Sequence, residues 1–317
     1  AQAILAQDRM QPSGPQKNEQ RTMVATTILD GGMGHLLRRL GVVVRGEIGS
    51  LERFRSVALA NIDAPDLVSA AHKEFLSAGA TVITTNSYAC TPAILGERTS
   101  EAIRAAGELA RRAASSKPGA LVAGCVPPLM ESYRTDRVLS DADLEKGYSI
   151  IVDAVAPFSD LLVCETMSCV REGEAAARAA CSRTNLPVWV SWALSEKADG
   201  TLLSGEPLAD AVGAVVGLPQ VQGFLMNCSH VEAIDVAMPQ LLELARQASP
   251  VRVVGAYANG FSTVHGEGSD EGEYRRDLTP SVYAGHARAW VDQGATVVGG
   301  CCGVFPEHIA AVVDALS

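Results

Sequence analysis

The sequence predicts an α/β fold class, a single-domain (β/α)8 TIM barrel, from three observations. Short apolar segments alternate with amphipathic helical patterns along almost the whole chain. Eight such segments occur, and most are apolar throughout, as parallel strands buried on both faces are. The length of 317 residues suits eight strand–helix units, which typically occupy about 250 residues.

The eight predicted strands are spaced by segments long enough for one helix each. In chain order they are Ala25–Asp30, Ala80–Thr85, Ala120–Val126, Asp160–Glu165, Pro187–Ala193, Gly223–Cys228, Val251–Ala256 and Ala295–Cys301.

Two of the intervening segments show apolar side chains at helical spacing. These side chains are Val68, Ala71, Phe75 and Ala78 in the first, and Tyr283, Ala287, Trp290 and Val291 in the second. Thr279 and Pro280 are typical of a helix start, while Gly79 and Gly294 are typical of a left-handed helix stop. Each glycine opens the tetrapeptide Gly-Ala-Thr-Val, which leads into a strand.

An open doubly wound sheet is the competing fold. It would carry a glycine-rich phosphate loop after its first strand. The segment Asp30–Gly34 is rich in glycine but lacks the G-x-G-x-x-G spacing, and its aspartate would repel a pyrophosphate. The barrel is therefore favoured.

The predicted domain organisation is simple. Residues 1–21 are polar and proline-containing, so we expect a flexible N-terminal extension rather than a secretory signal. Residues 22–317 are expected to form the barrel. Within them, Ala258–Asp277 is rich in Gly, Ser and Glu, which predicts a loop over the barrel mouth.

The composition excludes several functional classes. With 36 acidic and 26 basic residues the net charge is −10, which disfavours binding to nucleic acid. No apolar run approaches the roughly 20 residues that a membrane span needs. Eight cysteines in a chain of this size and character indicate reduced thiols and a cytoplasmic location.

Adjacent cysteines form the most specific feature of the sequence. Cys301 and Cys302 lie within Gly299–Gly303, directly after an apolar strand. Neighbouring cysteines seldom bridge each other because the ring is strained, and the glycines let the backbone curve around a small group. Simple packing at a crowded strand end is the alternative, but barrel enzymes carry their chemistry at this end of the strands.

A third cysteine, Cys228, follows another apolar strand. If the two strands are the sixth and eighth, Cys228, Cys301 and Cys302 could together bind one Zn²⁺ and leave a fourth position open, as catalytic zinc sites do. The other five cysteines lack ligand spacing and are interpreted as packing residues: Cys90, Cys125, Cys164, Cys169 and Cys181. The absence of H-x-H, H-E-x-x-H and G-x-S-x-G patterns disfavours a histidine-liganded or serine hydrolase.

A zinc ion with three thiolates suits one reaction class, the alkylation of a small thiol held as a thiolate. Asp30 and Glu165 end the first and fourth predicted strands and could hold an ammonium group. Backbone N–H groups around Gly31 could hold a carboxylate. The alternatives are that Asp30 caps the next helix and that Glu165 pairs with a neighbouring cation.

Five segments, taken in order over about 280 residues, carry a resemblance to a known family. They are Ile28–Gly34, Val82–Tyr88, Cys164–Met167, Phe224–Cys228 and Val298–Gly303. Together they resemble the homocysteine S-methyltransferase family, which includes S-methylmethionine- and betaine-dependent enzymes and the homocysteine-binding part of methionine synthase. The resemblance implies the barrel fold, a Zn²⁺ cofactor and a homocysteine-binding domain over residues 22–317.

The resemblance also implies roles for individual residues. The catalytic zinc would be held by Cys228, Cys301 and Cys302. The amino-acid end of homocysteine would contact Asp30 and Glu165, with Thr84 nearby. Tyr88 matches an aromatic position near the transferred methyl group, where a ring face attracts an onium cation.

One segment departs from the family pattern. Many relatives carry a tryptophan where this chain has Phe54–Ala58, and Arg55 would repel a cationic donor if it pointed inward. The sequence therefore predicts methyl transfer from a small sulfonium, with S-methylmethionine favoured, to homocysteine, giving methionine. The alternatives are betaine or another onium donor, and a non-catalytic thiol- or zinc-binding barrel. Small molecules are the expected partners, and the sequence does not indicate the oligomeric state.

Overall fold

A computed structural model describes residues 26–46, 50–248, 253–261 and 275–317. The predicted N-terminal extension, residues 1–21, lies outside these ranges, as do residues 262–274 of the predicted loop at the barrel mouth.

The described residues contain the eight predicted strands. They are β1 Thr27–Ile28, β2 Val82–Thr84, β3 Leu121–Val126, β4 Leu161–Met167, β5 Val188–Trp192, β6 Val221–Asn227, β7 Val253–Ala258 and β8 Val297–Gly300.

Helices lie between the strands. They are α1 Met33–Arg39, α2 Leu51–Asp63, α3 Pro65–Ser77, α4 Pro92–Leu95, α5 Thr99–Ala114, α6 Asp141–Val155, α7 Val170–Arg183, α8 Leu208–Val215, α9 Val231–Gln247, α10 Pro280–Gln293 and α11 Pro306–Leu316. The predicted helix ends are confirmed, because the Thr279 side chain accepts a hydrogen bond from the Val282 N–H, and Gly79 and Gly294 have φ values of 109° and 126°.

The strands form one parallel sheet in the order β1-β8-β7-β6-β5-β4-β3-β2. A parallel bridge between Leu29 and Val82 joins β1 to β2, so the sheet closes on itself. The (β/α)8 barrel predicted from the sequence is therefore confirmed. Because only β7 separates β6 from β8, the C-terminal ends of the two cysteine-bearing strands lie on the same side of the barrel mouth.

Two apolar layers hold the barrel together. The inner layer fills the barrel with Leu29, Val82, Ala123, Leu161, Val163, Trp189, Leu225, Tyr257 and Val297. The outer layer packs the helices on the strands, and Phe75 of α3 and Trp290 of α10 are fully buried in it. Truncating such an aromatic side chain to alanine typically costs about 3–5 kcal/mol.

Strand β4 differs from its prediction near the site. The strand continues past Glu165 to Met167, and its pairing register with β5 shifts between Cys164 and Met167. Thr166 has a φ of 61° at this bulge. Glu165 therefore lies within β4, not at its end as predicted, because a hydrophobic run does not reveal where a strand bulges.

Candidate active site and metal centre

Three cysteine sulfurs meet at the C-terminal mouth of the barrel. Cys228 directly follows β6, and Cys301 and Cys302 directly follow β8. Their Sγ atoms lie within 4.8 Å of one another, and the described part of the chain contains no other such group of three histidine, cysteine or acidic residues. Three sulfur donors suit a soft ion such as zinc better than they suit magnesium or calcium. The cluster is therefore a candidate metal centre.

The backbone is packed closely around this cluster. The Cys301 N–H donates to the Ala258 carbonyl at 2.9 Å, and the Gly260 N–H donates to the Cys302 carbonyl at 2.8 Å. A Cβ atom on Gly32 would lie only 2.9 Å from the Cys301 carbonyl oxygen. Larger residues would push these loops apart, so the glycines bring the ends of β1, β7 and β8 together.

The sulfur cluster stabilises a thiolate. Hydrogen bonds from Cys301 and Cys302 hold the pKa of Cys228 well below its ordinary value, and Tyr133 also bonds to this sulfur. Cys228 has a φ of 49°, in the left-handed region that is unfavourable for any residue other than glycine. Such strain is common where a side chain must be aimed at a functional site.

Asp30 lies just after β1, at the same mouth of the barrel as the cysteines. Its carboxylate accepts hydrogen bonds from the Thr84 N–H at 2.8 Å and from the Thr84 hydroxyl at 3.1 Å. Burial raises the pKa of Asp30 to about 7, although the bonds from Thr84 act in the opposite direction. The ionised form of such a buried carboxyl is stabilised strongly when a cationic group binds next to it.

Glu165 is the second buried carboxyl. The Tyr257 hydroxyl donates to its Oε2 at 3.2 Å. Burial raises the pKa of Glu165 to about 7, with smaller contributions from the charges of Cys228 and Asp30. The influence of the Asp30 charge on Glu165 is consistent with the two carboxyls lining the same cavity.

One cavity of about 180 Å³ connects these groups. All eight predicted site residues line it: Asp30, Gly31, Thr84, Tyr88, Glu165, Cys228, Cys301 and Cys302. The Tyr88 hydroxyl is 2.7 Å from the Ser132 Oγ, which fixes the ring in the cavity wall.

The segment that departs from the family pattern contributes Phe54 to the cavity lining. Arg55 is exposed, and its guanidinium donates to the Ile94 carbonyl at 2.7 and 3.0 Å. Arg55 is thus directed away from the cavity and does not oppose a cationic donor. The charge at this position is consequently no argument against betaine.

Several cavity residues were not predicted from the sequence. Tyr257 lies near the C-terminal end of β7, so the expectation that functional residues of a barrel lie at strand ends could have identified it. Tyr133 lies in a loop after β3, and no sequence motif marks it. Arg38 and Arg53 also line the cavity. Asn259 follows β7 and is fully buried, and neither polar atom of its side chain has a hydrogen-bond partner. Asn259 is not part of the cavity lining, and a buried polar group of this kind is a position where an ordered water is expected.

The remaining five cysteines lie outside the cluster. Cys90, Cys125 and Cys164 are buried, the last two within β3 and β4, and Cys169 and Cys181 are partly exposed. All eight cysteines are free thiols. The packing interpretation therefore fits the three buried residues best.

Comparison with known proteins agrees with the site. The family model described as homocysteine S-methyltransferase matches residues 27–316. The chain belongs to the homocysteine S-methyltransferase family. Homocysteine S-methyltransferase of Escherichia coli (strain K12) is 30% identical over 305 residues, covering 90% of this chain and 93% of that protein. Homocysteine S-methyltransferase YbgG of Bacillus subtilis (strain 168) is 24% identical over 306 residues, covering 89% and 91%.

A solved structure of the family has the same architecture. The metallated form of the homocysteine methyltransferase MmuM from Escherichia coli superposes with a TM-score of 0.75 at 27% identity, covering 92% of this chain and 96% of that one. The protein described here is thus a methyltransferase whose cysteine cluster can hold a metal ion. No helix among its described residues is long and apolar enough to cross a membrane.

Proposed function

We propose that this methyltransferase transfers a methyl group from a small sulfonium donor, S-methylmethionine in the first instance, to homocysteine and so forms methionine. The observation that carries the proposal is the convergence of three cysteine sulfurs and two buried carboxyls on one cavity. A cytoplasmic location, where thiols stay reduced, suits such a cluster.

We further propose that Cys228, Cys301 and Cys302 hold Zn²⁺. Bound there, zinc supplies a Lewis acid that keeps the homocysteine sulfur ionised at neutral pH. The three cysteines fix the position of the reacting sulfur at one end of the cavity.

The protein's own residues orient the substrate. Asp30 and Glu165 would bind the homocysteine ammonium group, and the backbone at Gly31 would approach its carboxylate. Thr84 holds the Asp30 carboxylate in place through its two hydrogen bonds. Such fixed alignment contributes much of the rate of a bimolecular transfer.

Tyr88 and Phe54 would offer ring faces to the cationic donor, which supports the transfer step. The substrate thiolate attacks the methyl carbon as the bond to the donor breaks, and the electron pair returns to the donor sulfur. The donor leaves as a neutral thioether, so that no general acid is required. The homocysteine thiol proton is released to solvent when the substrate binds.

The charges of the cavity also indicate what else the donor carries. Arg38 of α1 and Arg53 of α2 line the same cavity. After burial, their positive charges are the main influences that lower the pKa of His35 to about 4. A donor with its own carboxylate, as in S-methylmethionine and betaine, suits a cavity that offers guanidinium groups.

The decisive experiment compares turnover of homocysteine with S-methylmethionine and with betaine, using zinc-loaded protein. Methionine formation, faster with S-methylmethionine, is the expected result. Faster turnover with betaine would overturn the choice of donor. No methionine with any onium donor, although homocysteine and zinc bind, would favour a non-catalytic barrel.

The donor carboxylate can be tested with a matched pair of substitutions. Arg53→Gln should raise the KM of the donor by about tenfold, the range expected for a lost charged contact, and should leave the KM of homocysteine unchanged. Arg55→Gln is the control, because this guanidinium is exposed and bonds to the Ile94 carbonyl. Equal effects of the two variants would contradict the assignment.

A further inference from the structure

Asn227 is the last residue of β6 and directly precedes Cys228. Its side chain is fully buried and reaches across β5 to β4. The amide oxygen accepts hydrogen bonds from the Thr166 N–H at 2.9 Å and from the Ser191 hydroxyl at 2.7 Å. The amide nitrogen donates to the Thr166 hydroxyl oxygen at 2.8 Å. One side chain thus bonds both the backbone and the side chain of Thr166.

Thr166 needs this support because of its backbone conformation. Its φ of 61° is rare for a β-branched residue, and it lies at the bulge where the pairing of β4 with β5 is interrupted. A strained conformation persists only where the surroundings hold it in place. The two hydrogen bonds between Asn227 and Thr166 hold the bulge, and the bulge directs the preceding residue, Glu165, into the cavity.

The same network reaches Glu165 from its other side. Ser191, which donates to Asn227, also bonds to the Tyr257 hydroxyl, and Tyr257 in turn donates to the Glu165 carboxylate at 3.2 Å. The backbone and the carboxylate of Glu165 are therefore both connected to Asn227.

Asn227 also adjoins the sulfur cluster. Cys228 follows it in the chain with a φ of 49°, and the amide nitrogen lies 4.0 Å from the Cys301 sulfur. Polar groups that touch metal-binding side chains orient them and modify their affinity for the metal.

We propose that Asn227 is a positioning residue that couples the carboxyl for the substrate ammonium group to the cysteines of the metal centre. The assignment rests on the proposed function, in which Glu165 binds homocysteine. Asn227 contacts neither the substrate nor the metal in this scheme. It positions Glu165 through its hydrogen bonds to Thr166 at the bulge. It positions Cys228 because the two residues are adjacent in the chain.

The test measures homocysteine binding to zinc-loaded protein by calorimetry and zinc affinity by competition with a chelator. Asn227→Ala should weaken homocysteine binding by about tenfold or more, the usual loss for a residue of this kind. In the Glu165→Gln background the same substitution should have almost no further effect, because both changes disable the same contact. Ser159→Ala, at the opposite end of the barrel next to the start of β4, removes a buried hydroxyl whose partner is the Val155 carbonyl and serves as the control.

A rescue variant separates positioning from general loss of stability. Glycine adopts positive φ without strain, so Thr166→Gly should restore most of the homocysteine affinity lost in Asn227→Ala. The inference is overturned if Asn227→Ala binds homocysteine normally, if its effect adds fully to that of Glu165→Gln, or if Thr166→Gly restores nothing. Failure of the unsubstituted, zinc-loaded protein to bind homocysteine would instead count against the proposed function.

Discussion

The role of a cysteine in this barrel depends on where its strand ends. Cys125 and Cys164 lie inside β3 and β4 and are fully buried, and burial raises the pKa of both thiols far above the ordinary value. Cys228, Cys301 and Cys302 lie just beyond strand ends, where their sulfurs meet. Identical side chains thus have different chemistry because position in the strand decides which sulfurs can share a cation.

The first prediction separates these two groups of thiols. Cys301→Ser and Cys302→Ser should each lose bound zinc and methyl transfer, because a hydroxyl is a poor zinc ligand compared with a thiolate. Cys181→Ser is the matched control, since this thiol lies on α7 outside the cluster, and it should keep both. Metal analysis of protein purified with reduced thiols gives the readout. An essential Cys181 and a dispensable Cys302 would refute the ligand assignment.

The second prediction concerns Glu165. Glu165→Gln should weaken homocysteine binding by roughly ten- to a hundredfold, because a buried charged contact is worth about 1.5–3 kcal/mol. Zinc content should not change, since Glu165 is not in the sulfur cluster. Calorimetric titration of zinc-loaded protein measures the affinity for homocysteine, and metal analysis measures the zinc content. Unchanged affinity would move the amino-acid pocket elsewhere.

A pH dependence follows from the same carboxyls. Burial raises the pKa of Asp30 and of Glu165 to about 7, so both groups take up protons as the pH falls below that value. The carboxylates bind an ammonium group only when ionised. Homocysteine affinity should therefore fall from pH 8 to pH 6, and it should fall less steeply in Glu165→Gln, which has one titrating carboxyl fewer. Equal slopes in the two proteins would contradict this account.

At the scale of elements, one helix that packs on the barrel contains a buried polar side chain without hydrogen-bond partners. Helix α3 packs on the barrel with Val68, Ala71 and Phe75 fully buried. His72 of the same helix is also fully buried, and neither ring nitrogen has a hydrogen-bond partner. The helix therefore accommodates this ring only in its neutral form.

The third prediction uses this histidine. Burial lowers the pKa of His72 to about 4 in the folded protein, against 6.5 for the free side chain. Between these values the unfolded chain binds the extra proton, so the free energy of unfolding decreases as the pH falls from 6.5 towards 4. The decrease is about 1.4 kcal/mol per pH unit.

His72→Leu removes this titration. On acidification to pH 5, denaturant unfolding should show that the variant loses about 2 kcal/mol less stability than the unsubstituted protein does. The two proteins are compared by how their free energy of unfolding changes with pH. The contributions of Asp30 and Glu165 have the opposite sign to that of His72, but they are present in both proteins and cancel. Identical slopes would show that His72 keeps an ordinary pKa.

At the scale of the whole molecule, the site depends on a closed barrel. Strand β7 joins the cysteine-bearing strands β6 and β8, so any change that separates β7 from β8 also separates the sulfurs. Gly255 lies at this junction, where a Cβ atom would be 2.1 Å from the Val297 carbonyl oxygen. The close approach is between backbones, which cannot be relieved by a side-chain rotation.

The fourth prediction follows from this contact. Gly255→Ala should reduce the free energy of unfolding by about 1–3 kcal/mol, as overpacking does, and should also reduce zinc affinity. Gly213→Ala in α8 is the control, because a Cβ atom there has nothing within 4 Å and should stabilise the helix by about 0.5–1 kcal/mol. Thermal unfolding and chelator competition distinguish the two. A Gly255→Ala protein as stable as the control would refute the argument.

Local pattern in the sequence determined the strand–helix alternation, the helix ends at Thr279 and Gly79, and the strand ends that carry Asp30, Cys228 and Cys301. Parallel strands put their carboxyl ends on the same face of a barrel, so the order of the strands along the chain is enough to group the residues at those ends. The family motifs extended that grouping to Thr84 and Tyr88.

Tertiary structure alone decided the rest. The bulge at Thr166, the direction of Arg55, and the approach of Arg38 and Tyr133 to the site depend on contacts between residues distant in the chain. A hydrophobic pattern reports which face of an element is buried but not which hydrogen bonds form across the barrel. Asn227 shows this most clearly, because its partners Thr166 and Ser191 lie on other strands and only the closed sheet brings them together.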